Sequence, residues 1–207
     1  MSKLIIFDCD GTLVDSEIVA AKVFPAVWAT MGVQMTSEYF ICNFVGTGSD
    51  AEIVKSTKAL LPPHGMEIAH QKFADELAQS LQPTQGMREL LESLPCQVCV
   101  ASNSSLEYVN SVLEKTQLAS FFGNRVYSSR DLPRPKPAPD VFLHAACELG
   151  FKPDQCIVVE DSVSGVKAAQ NAGIPVIGYM GGLHFNQVVK NKLLSAQADI
   201  YCASATE

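Results

Sequence analysis

Residues 7–16 read FDCDGTLVDS, and they begin at the last residue of the apolar run LIIF, residues 4–7. Such a run predicts a strand that is buried on both faces, as in a parallel sheet. Two carboxylates, Asp8 and Asp10, come directly after this strand, and a glycine then turns the chain. Because burying a carboxylate is unfavourable unless a partner compensates its charge, this strand end predicts a site that holds a cation or an electrophilic group.

Four further apolar segments predict short strands, and helical patterns lie between them. The predicted strands are residues 97–102, 125–129, 156–160 and 175–179, and the intervening helices are 104–118, 138–150 and 164–173. Ser104 and Glu107 form the capping box expected at the first of these helices, and Gly150 and Gly173 suit the left-handed position at the ends of the other two. The alternation predicts an α/β fold with a doubly wound parallel sheet, a Rossmann-like core.

An insert interrupts this alternation directly after the first strand. Residues 17–82 contain four helical patterns, which are separated at Gly32, at the glycines of the loop Gly46-Thr47-Gly48 and at residues 62–65. An insert there stands over the carboxyl ends of the strands, where open α/β sheets bind ligands, so it predicts a helical cap. The loop is interpreted equally as an ordinary interhelical turn or as a flexible cap loop that dips toward a bound phosphate.

The predicted domain organisation follows from the position of the insert. It comprises an α/β catalytic core of residues 1–15 and 83–207, and a helical cap of residues 16–82.

Polar side chains follow several of the predicted strands. They are Asp8 and Asp10 after the first strand, Ser102 and Asn103 at the end of the second, Glu160 and Asp161 at the end of the fourth, and Lys136 in the loop RPKPAP. The carboxyl ends of parallel strands meet at one edge of a sheet, so we expect these side chains to converge. Carboxylates that lie close together repel one another unless a cation is present, and hard oxygen ligands with room for water suit Mg²⁺.

The chemistry that this set predicts is phosphoryl transfer, which needs a nucleophile, neutralisation of charge and positioning. We expect Asp8 to attack phosphorus and to carry the phosphoryl group as an aspartyl phosphate. Asp10, crowded by other acids, is expected to protonate the leaving oxygen and later to take a proton from water.

The remaining residues of the set are expected to bind phosphate and metal. Ser102, Asn103 and Lys136 are predicted to bind phosphate oxygens. The predicted metal residues are Asp8, Asp10 through its backbone carbonyl, Asp161, and Glu160, for which contact through a water molecule is one option.

Four stretches resemble the motifs of the haloacid dehalogenase superfamily. They are DCDGTLVDS at 8–16, ASNSS at 101–105, RPKPAPD at 134–140 and VVEDSVSG at 158–165. The resemblance is to the phosphatase and β-phosphoglucomutase branch, which carries a helical cap after the first motif, and it implies the same residue roles. In the dehalogenases proper a non-acid replaces the second acid of the first motif, so the presence of Asp10 implies phosphate chemistry.

The predicted function is a Mg²⁺-dependent phosphatase that acts on a small phosphorylated metabolite, a sugar phosphate in the first place. One alternative is a sugar-phosphate mutase that uses the same aspartyl phosphate. The mutases that the chain resembles carry a cap histidine, which would align near Ala20, and an arginine in the following glycine loop. Residues 17–31 contain no histidine and residues 44–50 no basic residue, which favours the phosphatase.

A third alternative belongs to another functional class, the phosphorylatable signalling module of the receiver type. Receivers also combine acids, a hydroxyl and a lysine at the strand ends of a doubly wound sheet. Their phosphate acceptor lies on a middle strand, however, and they lack a long helical insert.

Composition restricts the partners. The 207 residues carry a net charge of −7 with a pI near 5.1, and they show no basic stripe, so we expect no nucleic-acid partner. No apolar run approaches the about 20 residues that span a bilayer, so no membrane partner is expected. The first residues lack the pattern of a signal peptide, and we expect a cytoplasmic protein.

The seven cysteines and four histidines are interpreted as ordinary residues. Cys96 and Cys99 have the spacing of a metal or redox pair, but in a strand their side chains would point to opposite faces, and no second pair lies nearby. The histidines show no ligand spacing; they are His64, His70, His144 and His184.

Overall fold

A computed structural model describes residues 3–47 and 51–207, and these residues form a parallel sheet in the strand order β3-β2-β1-β4-β5-β6. The strands are β1 (Leu4–Phe7), β2 (Gln97–Ser102), β3 (Val126–Ser128), β4 (Cys156–Glu160), β5 (Val176–Tyr179) and β6 (Ile200–Cys202). The first strand therefore lies in the middle of the sheet, paired in parallel with β2 on one side and with β4 on the other. The prediction of an α/β fold with a doubly wound parallel sheet is confirmed.

Helices connect the strands, and the first five helices of the described residues lie between β1 and β2. The helices are α1 (Ser16–Ala29), α2 (Ser37–Asn43), α3 (Glu52–Leu60), α4 (Gly65–Ser80), α5 (Met87–Ser93), α6 (Leu106–Lys115), α7 (Ala119–Phe122), α8 (Asp140–Glu148), α9 (Val163–Ala172) and α10 (Gln187–Ser195). Short 3₁₀ turns occur at Ser129–Asp131 and Pro153–Gln155. None of the helices in the described part of the chain has both the length and the apolar character that crossing a bilayer requires.

The two faces of the sheet are covered by different helices, as the period of two along a strand requires. Leu4 and Ile6 of β1 pack in one apolar cluster with residues of α8 and α9, such as Phe142. Phe7 packs in a second cluster on the opposite face with residues of α6 and α7, and its ring makes an edge-on contact with Phe122 at 6.4 Å between centroids. This coverage of both faces is what fixes the end of β1 inside the protein.

Helices α1, α2 and α4 share an apolar cluster of their own, which is rich in aromatic rings. Phe24 stacks on Phe40 at 5.6 Å between centroids, and Phe40 stacks on Phe44 at 4.9 Å. Trp28 contacts each of these three rings and is 2% exposed. The segment predicted as a cap thus contains a compact helical unit with an aromatic core.

The predictions at helix ends are confirmed in part. Gly150 and Gly173 follow α8 and α9 with φ of 75° and 67°, the left-handed conformation expected of them. The capping box of Ser104 and Glu107 is wrong, because α6 begins one residue later and Ser105 is the residue whose side chain accepts from the backbone N–H of Tyr108. Ser104 is thereby free to bind elsewhere, and its partner lies in the candidate active site.

Candidate active site

The carboxyl ends of β1, β2 and β4 meet at a cavity of about 180 Å³, here called the carboxylate cavity. The structure brings together at its wall all the side chains that the sequence predicts as site residues: Asp8, Asp10, Ser102, Asn103, Lys136, Glu160 and Asp161. Gly46 and Thr47 of the loop between α2 and α3 also line this cavity, whereas Gly48 lies outside the described residues. The sheet topology is sufficient to explain this convergence, because all three strands end at the same edge.

Lys136 is the cation at the centre of this cavity. Its Nζ donates to Asp8 Oδ1 at 2.5 Å, to Glu160 Oε1 at 2.6 Å and to the carbonyl of Ala101 at 2.8 Å. Burial alone would lower the pKa of Lys136, but the carboxylates of Asp8 and Glu160 hold it above its ordinary value. Because an ammonium has three protons and all three are used here, binding of a phosphate oxygen by Lys136 would need the exchange of one of these bonds.

One lysine does not neutralise the carboxylates around it. Burial raises the pKa of Asp8 well above its usual range; Lys136 opposes the shift, and Glu160 and Asp161 add to it. Carboxylate oxygens of Asp8, Glu160 and Asp161 lie within 4.8 Å of one another, a spacing at which a metal ion can be held. The donor set consists of hard oxygen atoms, so the residues present fit a divalent cation of the magnesium type.

The three carboxylates differ in how many hydrogen bonds they already accept from the protein. Glu160 is completely buried, and its Oε2 accepts from the backbone N–H and the hydroxyl of Ser162 at 3.0 and 2.9 Å while Oε1 accepts from the lysine. Asp161 accepts a longer bond, 3.1 Å, from the hydroxyl of Thr12. Glu160 is therefore well suited to hold Lys136 and Ser162 in position. Asp8 and Asp161 accept fewer hydrogen bonds, so their oxygens are more available to a cation.

Gly11 allows Asp161 to approach the first motif. Its φ is 77°, a conformation that favours glycine, and a Cβ at this position would lie 2.1 Å from Asp161 Oδ2. The glycine of the first motif thus has two functions: it turns the chain after Asp10, and it leaves space for the carboxylate that ends β4.

Three hydroxyl groups hold the side chain of Asp10. Ser16 and Tyr108 donate to its Oδ1 at 2.6 and 2.7 Å, and Ser104 donates to its Oδ2 at 2.8 Å. These donors come from the start of α1, from α6 and from the loop before α6, so they fix the carboxyl group in one orientation. Asp10 lies at the junction of the carboxylate cavity with a second, larger cavity.

The second cavity has a volume of about 450 Å³ and lies between the helices that follow β1 and the start of α6; we call it the aromatic cavity. Phe24, Phe40, Phe44 and Phe73 form much of its wall. Glu17 faces both cavities, and burial, followed by the neighbouring charge of Asp10, raises the pKa of its carboxyl group well above the ordinary value. The size is typical of a small-molecule site.

Several residues near the site were not predicted from the sequence, among them Ser16, Ser104, Tyr108 and His184. Ser16, Ser104 and Tyr108 contact Asp10, and no sequence signal pairs Ser104 with Tyr108, because Ser104 lies before α6 and its N-cap Ser105. His184, interpreted as ordinary, is 2% exposed, and its Nε2 lies 3.2 Å from Asp161 Oδ2. No sequence signal links His184 to Asp161, because only the fold brings them together.

Residues 5–179 match the family Haloacid dehalogenase-like hydrolase. The chain belongs to this family. It is 26% identical over 197 residues to a 6-phosphogluconate phosphatase of Escherichia coli (strain K12), a match that covers 91% of this chain and 87% of the relative. It is 32% identical over 176 residues to hexitol phosphatase B of the same organism, covering 81% and 78% of the two chains.

A solved haloacid dehalogenase family hydrolase from Deinococcus radiodurans R1, which contains bound phosphate and sodium, has the same fold. Its TM-score is 0.83 and its identity 26%, and the match covers 99% of this chain and 92% of the other. With phosphatases among its relatives and the family's motifs meeting at one cavity, the protein is an enzyme, a phosphoric monoester hydrolase.

Proposed function

We propose that this haloacid dehalogenase-like protein is a Mg²⁺-dependent phosphatase that hydrolyses a small sugar phosphate through an aspartyl phosphate on Asp8. The observation that carries the proposal is the convergence of Asp8, Asp10, Lys136 and Asp161 on one cavity, directly beside a larger cavity that can hold a leaving group.

In the first step an oxygen of Asp8 attacks phosphorus, and the bond from phosphorus to the ester oxygen breaks. Lys136 already binds Oδ1 of Asp8, so Oδ2 is the attacking atom. Asp10 gives a proton to the departing ester oxygen, and the alcohol leaves toward the aromatic cavity. Ser102 supplies a hydroxyl donor for a phosphate oxygen, because its own oxygen already accepts from the backbone N–H of Ser104 at 3.0 Å.

In the second step water attacks the aspartyl phosphate. The ionised Asp10 takes a proton from this water, the bond between phosphorus and Oδ2 of Asp8 breaks, and inorganic phosphate leaves. Both carboxylates return to their starting states, so the cycle balances. The hydroxyls of Ser16, Ser104 and Tyr108 keep Asp10 directed at the same point in both steps.

The proposed metal residues are Asp8, Asp161 and the backbone carbonyl of Asp10. Glu160 is proposed to contact the ion through a water molecule. Bound Mg²⁺ would neutralise charge on the phosphoryl group and on the carboxylates. The proximity of their oxygens supports this assignment, as does the phosphate and sodium bound in the Deinococcus relative. The same neutralisation would favour the ionised form of Asp8, which the attack requires.

Sugar phosphates are the proposed substrate class because relatives are named for 6-phosphogluconate and hexitol phosphates. The test is to measure inorganic phosphate released from a panel of such compounds in the presence of Mg²⁺. We expect saturable turnover with at least one of them. A protein that instead accepts a single phosphoryl group from acetyl phosphate and keeps it would act as a signalling module, and the proposal would be wrong.

The same assay distinguishes hydrolysis from the mutase alternative. Ala20, near which the mutases carry their histidine, lines the aromatic cavity and offers no polar group. With β-glucose 1-phosphate and a trace of glucose 1,6-bisphosphate, we expect inorganic phosphate to form faster than glucose 6-phosphate. The reverse order would establish a mutase.

A further inference from the structure

One arginine at the aromatic cavity has no ionic partner in the described residues. Arg130 lies in the 3₁₀ turn after β3 and lines this cavity. Within residues 3–47 and 51–207 its guanidinium forms no ion pair, and its one side-chain hydrogen bond is a long one, 3.5 Å, to the carbonyl of Asn103. Arg134, four residues later, differs, because it pairs with Asp140 at 2.8 Å.

The charges around the two cavities make Arg130 exceptional. Most of the charged residues that line the two cavities are carboxylates, and Lys136 is occupied by Asp8 and Glu160. Among the described lining residues, Arg130 is thus the permanent cation that is available to a ligand. Arg130 is solvent-exposed and has no ionic partner within residues 3–47 and 51–207, so its guanidinium offers a site for an anion in a protein with a net charge of −7.

One further polar side chain at the aromatic cavity comes from the segment predicted as a cap. His70 of α4 lines the same cavity and makes an edge-on contact with the ring of Phe24 at 5.1 Å between centroids. Burial, followed by the charge of Arg130, lowers the pKa of His70, which favours the neutral imidazole. A neutral imidazole can donate a hydrogen bond to a carboxylate or phosphate oxygen that Arg130 binds.

The other residues of the aromatic cavity restrict which carbon skeleton a ligand can have. Asp10 lines both cavities and marks their junction, whereas Arg130 lines the aromatic cavity alone. The rings of Phe24 and Phe73 line the same cavity and offer apolar contact surface. A ligand that fits has an ester oxygen at Asp10, a carbon skeleton along the rings and an anionic group at Arg130.

We propose that the substrate is a phosphomonoester with a second anionic group, carboxylate or phosphate, and that Arg130 selects it by binding this group. This inference rests on the proposed function, because it uses the same site. It adds the chemistry of the leaving group, which carries the second anion. Arg130 is here a residue that determines specificity, not one that takes part in the phosphoryl transfer.

The test uses pairs of substrates that differ in the second anionic group. One pair is 6-phosphogluconate with glucitol 6-phosphate, and a shorter pair is 3-phosphoglycerate with glycerol 3-phosphate; in both, a carboxylate replaces a hydroxymethyl group. A third pair, fructose 1,6-bisphosphate with fructose 1-phosphate, tests phosphate as the second anion. We expect kcat/KM for the anionic member to exceed that of its neutral partner by about tenfold in at least one pair.

The variant Arg130→Gln keeps a polar side chain and removes the charge. We expect the preference within that pair to fall about tenfold, and Arg130→Lys to restore part of it. The matched control is Arg134→Gln, which removes an arginine that lies outside both cavities and should leave the preference unchanged. If Arg130→Gln reduces turnover of both members equally, Arg130 binds the reacting phosphate and the proposal is wrong.

A binding measurement separates this inference from the proposed function. In an Asp8→Asn background, which cannot form the aspartyl phosphate, the rise in thermal midpoint with 6-phosphogluconate is compared with that for glucitol 6-phosphate. A larger rise that Arg130→Gln abolishes supports the anion site even if no phosphate release is ever found. Equal rises for the members of all three pairs would overturn it while leaving a phosphatase possible.

Discussion

The two cavities differ in how they are built. The carboxylate cavity is formed by strand ends and the loops that follow them, and most of its polar atoms already have partners at 2.5 to 3.1 Å. The aromatic cavity is formed by side chains of separate helices, and much of its wall is apolar. The first is suited to one reaction. The second is suited to selection of the substrate, since a few polar groups placed in an apolar wall fix which ligand binds.

The largest expected effect tests whether the carboxylate cavity alone holds the chemistry. Asp8→Asn keeps the shape of the side chain and removes its charge, so turnover should fall by about four orders of magnitude or more. The measurement is phosphate release, with the thermal midpoint as a check of folding. Asp154→Asn, in the turn before β4, is the matched control and should retain full turnover. An Asp8→Asn enzyme with a tenth of wild-type activity would exclude Asp8 as the nucleophile.

The second prediction concerns the cation at the same cavity. Chelation should abolish turnover and added Mg²⁺ should restore it, because the clustered carboxylates otherwise repel the phosphoryl group. Asp161→Asn should raise the Mg²⁺ concentration needed for half-maximal activity and reduce the rise of the thermal midpoint with Mg²⁺. The exposed acid Asp131, changed to Asn, should alter neither quantity. Full activity in excess chelator would contradict the assignment.

The third prediction tests the junction between the cavities. Tyr108→Phe removes one of three donors to Asp10 while it keeps the ring, so kcat should fall about tenfold with little change in KM. The pH–rate profile should change shape as well, because the lost hydroxyl contacts the proposed proton donor. Tyr39→Phe, at an exposed site on α2, is the control. A loss of thermal stability with an unchanged pH profile would mean that Tyr108 has only a structural role.

The smallest expected effect belongs to the aromatic cavity. Phe24→Leu removes ring contacts with Phe40 and His70 at the wall, so KM should rise about three- to tenfold while kcat changes little. The change should also lower the free energy of unfolding by about 1 kcal/mol. Phe121→Leu is the control, because Phe121 of α7 packs against the cluster that contains Phe7 and does not line the aromatic cavity. It removes a ring without removing a contact to the substrate. A large fall in kcat would mean that the two cavities are not separable in function.

The same contrast explains how much the sequence predicts. Asp8, Lys136 and Asp161 could be placed because a strand end fixes where a side chain lies, and the strands themselves show as apolar runs. The order of the strands places β1 between β2 and β4, and the proximity of these residues follows from it.

Other contacts could not be predicted, because they depend on packing between elements that are distant in the chain. Ser104 has the sequence context of a helix N-cap, and only the true start of α6 frees it for Asp10. His184 reaches Asp161 from the segment after β5, which carries no motif. Strand β6 and helices α5, α7 and α10 were not predicted from the sequence. Strand β6 is an edge strand of three residues, and none of the three is fully buried.

The central position of β1 has a consequence for biosynthesis. Strand β1 is made before the other strands of this sheet, yet one of its two neighbours, β4, begins only at Cys156. A growing chain that contains β2 but ends before this residue leaves β1 with one open hydrogen-bonding edge, and Asp8 lacks Glu160 and Asp161 beside it. Such an edge is prone to pair with other chains, so nascent or truncated forms should need protection by chaperones until β4 is complete.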